Sequence, residues 1–119
     1  MRKICAALAL AACLPAAPAA AQGVPARATA GAISRVCNEN QAACLTYVVG
    51  ALDAFYASMS AFGRPATICI PAAVTNNQLM QVSVAYLRAH PEAANANGAE
   101  MVIAAVHRAY PCQAQPVRR

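Results

Sequence analysis

The sequence predicts an all-α domain, a small disulfide-stabilised helical bundle of about four helices with a short first helix. Three observations carry this expectation. Apolar residues recur at helical spacing over four separate stretches, and helix-start and helix-stop residues fall between those stretches. The one β-branched run, residues 67–70, is followed by Pro71 and has no neighbouring run to pair with.

Thr29 caps the first helix, which runs through Val36 and sets Ile33, Val36 and Cys37 on one side. Asn38, Glu39 and Asn40 then break the pattern with cap-forming side chains. The longest periodic segment runs from 41 to about 60. Cys44, Val48, Ala51 and Phe55 form one stripe, and Leu45, Val49, Leu52, Tyr56 and Met59 an adjoining one, an arc suited to a central helix. Gly50 in mid-helix costs roughly 1 kcal/mol relative to Ala, and close approach by a neighbouring helix is the expected compensation. Phe62-Gly63-Arg64-Pro65 ends the segment. Residues 67–70 are expected to form an ordered loop anchored by Cys69.

The third helix opens on a capping box, Thr75-Asn76-Asn77-Gln78, with Val74 and Leu79 placed for a hydrophobic staple. It continues through Leu79, Met80, Val82, Val84, Tyr86 and Leu87. His90 suits the negative end of the dipole, and Pro91 stops the helix. Residues 92–98 form a polar connection free of obvious core duty. Asn97 and Glu100 start the last helix, whose face is Ala99, Val102, Ile103, Val106 and Tyr110, and Pro111 ends it.

With 119 residues, 60% hydrophobic and only 11% charged, the chain holds one small domain. The formal charge of +5 is concentrated at the two ends, in Arg2, Lys3, Arg118 and Arg119, with no basic stripe between them. Nucleic-acid binding is therefore disfavoured. Arg2 and Lys3, the apolar run 4–14 and Ala19-Ala20-Ala21 read as a signal peptide, residues 1–21, cut after Ala21. Pro15 and Pro18 interrupt that run well short of the roughly 20 apolar residues of a membrane span, so the mature form is expected to have none. Leu10-Ala11-Ala12-Cys13 resembles a lipoprotein box, but the short run before Cys13 favours soluble export over a lipid anchor. The organisation expected is a signal peptide, a linker (22–28), the helical domain (29–112) and a flexible tail (113–119), with a periplasmic location.

Cleavage leaves four cysteines, Cys37, Cys44, Cys69 and Cys112. An even number in a small exported domain reads as two disulfides, each worth about 2–4 kcal/mol. Zinc is the weaker reading, because no pair has C-x-x-C spacing and no His pair accompanies them. Three connectivities are open. Cys37–Cys44 requires a turn at 38–40, since seven residues of continuous helix span about 10 Å. The preferred pairing is Cys44–Cys69 with Cys37–Cys112, which would tie the long helix to the ordered loop and the first helix to the last.

Convergent catalytic groups are scarce. Glu39 and Glu100 stand where helix starts favour carboxylates, and Glu92 follows a helix stop. Asp53, inside the longest helix, reads as a surface position or a hydrogen-bonded one rather than a catalytic acid. His90 and His107 lie on different helices without partners at metal-ligand spacing. No G-x-S-x-G context or phosphate-binding glycine loop is present. The expectation is a protein that is not an enzyme, with no metal and no cofactor.

Cys44-Leu45-Thr46-Tyr47-Val48-Val49-Gly50 with Asp53 beyond resembles the C-L-x-Y-x-x-G-x-x-D helix of the Rap/Tai immunity proteins. Ile68-Cys69-Ile70-Pro71 with Val74-Thr75 and Gln78 resembles that family's I-C-x-P-x-x-V-T-x-x-Q segment. Tyr86-Leu87 with His90-Pro91, and Tyr110-Pro111-Cys112, match its Y-L-x-x-H-P and aromatic-P-C signatures. The resemblance spans about residues 30–112. It departs from the pattern at Thr46, where the family often has Gly, and at Ala72-Ala73, which replace a commoner acidic-Gly pair.

The resemblance implies a compact, helical, disulfide-bonded periplasmic protein that binds and blocks a peptidoglycan amidase effector delivered by type VI secretion. Inhibition would be by occlusion, with a loop of a rigid bundle filling the effector's catalytic cleft. Two connections are candidates. Residues 62–66 supply Phe62, Arg64 and Pro65, residue types suited to binding anchors; residues 92–98 are the other. The broad apolar arcs exceed what one small bundle covers, so a homodimer is a further expectation. The alternative functions are an HdeA-like periplasmic acid-stress chaperone, for which four scattered acids give little leverage, and another noncatalytic envelope binding protein.

Overall fold

The computed structural model describes residues 28–113. The expected signal peptide with its Cys13, residues 22–27 of the linker and residues 114–119 of the tail lie outside them. Four α-helices follow in order, α1 (Ala30–Glu39), α2 (Gln41–Ala61), α3 (Asn76–Ala89) and α4 (Gly98–Ala109), with a 3-10 turn at Pro91–Ala93. The all-α reading is correct, and each helix begins at the residue whose side chain can cap it.

Thr29 Oγ1 accepts from Ala32 N at 3.2 Å to start α1. That helix is three residues longer than expected, because the break falls at Asn40 alone. Asn40 is extended (φ −145°, ψ 100°) and ends α1, while its Oδ1 accepts from Ala43 N at 3.0 Å and starts α2. Glu39 therefore closes α1 rather than opening a helix. At α3 the capping box is complete: Thr75 N donates to Gln78 Oε1 (2.7 Å) and Gln78 N to Thr75 Oγ1 (3.2 Å). Val74 and Leu79, the staple pair, share the main core. Asn97 Oδ1 accepts from Ala99 N (2.9 Å) at the start of α4.

α2 is the longest helix and packs against α1, α3 and α4, as each helix does against the other three, so the expected central position is not its alone. Cys44, Val48, Ala51 and Leu52 are buried on it. Val48, Leu52, Ile68, Leu79, Val102 and Val106 form the main core, and Ala30, Ile33 and Leu87 a second cluster where α1 meets α3. Ser83 is fully buried, and its hydroxyl is satisfied by Leu79 O at 2.9 Å, one turn back on the same helix. α2 has the length and composition of a membrane-crossing helix, with mean hydropathy 1.3, and in this bundle it buries one stripe of its surface.

The disulfides are Cys37–Cys44 and Cys69–Cys112, which corrects the preferred pairing of Cys44–Cys69 with Cys37–Cys112. The one-residue reversal at Asn40 is the reason. It places the end of α1 against the start of α2 with the Cys37 and Cys44 Cα atoms 4.5 Å apart, within disulfide reach. The second bridge ties the segment before α3 to the end of α4, 43 residues away (Cα–Cα 4.8 Å).

Candidate functional site

The connection after α2 is built by its glycine. Gly63 has φ +61°, a left-handed conformation that favours a residue without Cβ. It allows Gly63 N to donate to Ser60 O (3.1 Å) and Arg64 N to Met59 O (2.9 Å), the paired bonds of a Schellman motif. Phe62 is the C-cap, its own N–H bonded to Ser58 O (3.0 Å). The helix end thereby consumes the backbone donors of residues 62–64 and leaves their side chains outside. Phe62 is 78% exposed, the one large hydrophobic so placed among the described residues, and Arg64 and Pro65 are exposed beside it in sequence.

The far end of this loop is anchored as firmly. Ile68 is buried and faces Pro111 across an isolated antiparallel bridge. Cys69 N donates to Tyr110 O (2.9 Å), Cys112 N to Thr67 O (3.1 Å), and the Tyr56 hydroxyl to Ile68 O (3.0 Å). The β-branched run thus finds its extended partner after α4, far off in sequence. With the Cys69–Cys112 bridge added, residues 62–66 are a short span between two fixed points.

The other candidate connection, 92–98, is not free of core duty. The N–H groups at the start of an α-helix lack intrahelical partners. Here Ala30 N donates to Ala96 O and Gly31 N to Ala94 O, both at 2.9 Å, and Gly98 N returns a bond to Ala28 O at 2.8 Å. A Cβ on Gly98 would sit 2.7 Å from Ile33 Cγ1 and 2.9 Å from the Tyr47 hydroxyl. This connection is the N-terminal cap of α1.

Gly50 overturns a second expectation. No neighbouring helix approaches it; it is exposed, and a Cβ there would meet nothing within 4 Å. Asp53, one turn further on, is exposed as expected and lines a cleft with Val49 and Asn76. The sequence contained a sign of this face, since Leu45 and Val49 belong to an apolar arc wider than the buried stripe of α2.

Electrostatic perturbations are few. His90 Nδ1 lies 2.8 Å from Glu92 Oε1, and that hydrogen bond holds the exposed Glu92 carboxyl below the usual carboxylate range. Desolvation raises the Tyr47 and Tyr56 phenols above their ordinary value. Among the described residues no three His, Cys, Asp or Glu side chains come together as a metal site, and all four cysteines there are disulfide-bonded.

The family model for Rap1a immunity proteins matches residues 10–112. The chain belongs to the Rap1a immunity protein family. No curated protein and no solved structure matches it. Membership in the Rap1a family makes it an immunity protein for a secreted effector, a protein whose work is to bind a partner. The residues that carry the sequence resemblance divide between scaffold and surface: Cys44, Ile68, Thr75 and Cys112 serve bridges, core and cap, whereas Gly50 and Asp53 face outward.

Proposed function

We propose that the protein is a periplasmic immunity protein that binds a peptidoglycan amidase effector of type VI secretion and occludes its active site with residues 62–66. The observation that carries this reading is the placement of Phe62, Arg64 and Pro65 on a span fixed at both ends, together with the family. A loop ordered before binding loses little conformational entropy on docking. An exposed phenylalanine beside an arginine supplies two residue types enriched at interfaces. The two disulfides and the signal-like leader of residues 1–21 support export to an oxidising compartment. Occlusion requires no catalytic group on this chain, in keeping with a binding role.

The test is protection. A periplasm-directed amidase effector is expressed with and without this protein, and lysis is scored together with complex formation by the purified pair. The expected outcome is rescue from lysis and a stable complex. Lysis unchanged by the protein, with no complex formed, would overturn the amidase reading.

A further inference from the structure

The face of α2 beside the start of α3 carries a groove that the loop mechanism does not use. Two adjoining clefts of about 300 and 380 Å³ share Val49, Asp53 and Asn76. One extends along α2 to Gly50, the other to Ile70 and Pro71. Three features of this groove bear on what it can hold. Gly50 sits in the middle of a 21-residue helix at the usual cost of a helical glycine, yet nothing packs where its side chain would be. Asp53 is the one charged residue lining either cleft, and among the described residues its exposed carboxylate has no side-chain hydrogen bond or ion pair. α2 is also apolar beyond its buried stripe, which leaves Val49 half-buried at the groove wall.

We propose that this groove receives a basic side chain, Lys or Arg, from a protein partner of the immunity protein. Such a side chain has an aliphatic stem that lies along apolar surface and a charged head that seeks a carboxylate. Val49, Ile70 and Pro71 supply the first surface and Asp53 the second. The missing side chain at Gly50 leaves room for the partner's main chain beside the inserted group. The proposal rests on the reading of this protein as a partner-binding one, but not on that partner being an amidase.

The experiment has two arms. In the first, the 15N-labelled protein is titrated with the blocked tripeptide acetyl-Ala-Arg-Ala-amide, with the citrulline analogue as neutral control. Saturable shifts confined to residues 46–53 and 70–76, absent with citrulline and lost in Asp53→Asn, are expected. Shifts that are absent, spread over the surface or indifferent to Asp53→Asn would overturn the groove. In the second arm, a purified amidase effector is titrated against wild type, Asp53→Asn and Gly50→Leu, with melting curves alongside. Affinity at least tenfold lower in both variants, at unreduced melting temperature, supports the groove. Wild-type affinity in both overturns the groove and leaves the amidase reading intact. Peptide binding without any effector binding supports the groove and removes the amidase reading. Self-association of the wild type that Gly50→Leu abolishes, without peptide shifts, would assign the face to a second copy and overturn the basic partner.

Discussion

The connection that follows α2 and the one that leads into α4 are both short and both glycine-containing, but they stand in opposite relation to the bundle. Residues 92–98 turn their carbonyls inward, where those of Ala94 and Ala96 accept from the first N–H groups of α1. Residues 62–66 turn their backbone back onto α2 through Gly63 and leave Phe62 and Arg64 to solvent. One loop is used up in holding the fold, and the other is held by the fold. Polarity in the sequence does not separate the two cases; the destination of each backbone donor and acceptor does.

The sharpest way to break this comparison is to release the anchor of the presented loop. Replacing Cys69 and Cys112 together with Ala removes a bridge across 43 residues, which the chain-entropy account values at about 4 kcal/mol. The same treatment of Cys37 and Cys44, separated by seven, should cost about 2.4 kcal/mol. Denaturant melts of the two double variants test that order. Next in size is Gly98→Ala, which forces a Cβ against Ile33 and Tyr47 and should destabilise by about 1–3 kcal/mol. Gly50→Ala meets open space and should instead stabilise by roughly 1 kcal/mol in the same melts. A pair of helical glycines with opposite signs would confirm that one serves packing and the other does not.

The smallest effect concerns the end of α3. The Glu92 carboxyl is held low by its hydrogen bond to His90, so its contribution exists above the unfolded carboxylate range and fades as pH falls through the depressed folded value. An NMR titration of the Glu92 side chain should show a midpoint below that of free Glu, moved upward by His90→Gln. An unmoved midpoint would remove the contact from the account.

Much of the bundle was legible because its signals are local. Thr29, Asn97 and the Thr75–Gln78 box act within four residues, and all three starts stand where the sequence placed them. The disulfide pairing was not legible, since the break expected at 38–40 left Cys37–Cys44 open as one of three connectivities, and only the direction in which α2 leaves Asn40 selects it. Nor was the extended partner of residues 67–70, which lies across the whole of α3 and α4 in sequence. The candidate site divided in the same way. Phe62, Arg64 and Pro65 are candidates by residue type and punctuation, and all three are exposed in the loop. The groove at Gly50 was missed, because a helical glycine looks the same in sequence whether a neighbour crowds it or nothing does.

The central claim is that binding resides in the presented loop and not in the one that caps α1. The most direct measurement is the affinity of an amidase effector, by isothermal titration, for wild type and for Phe62→Ala/Arg64→Ala, with thermal unfolding of both forms recorded in parallel. The account predicts roughly 30-fold weaker binding or more in the variant with a nearly unchanged melting temperature. Wild-type affinity in a folded variant would contradict it.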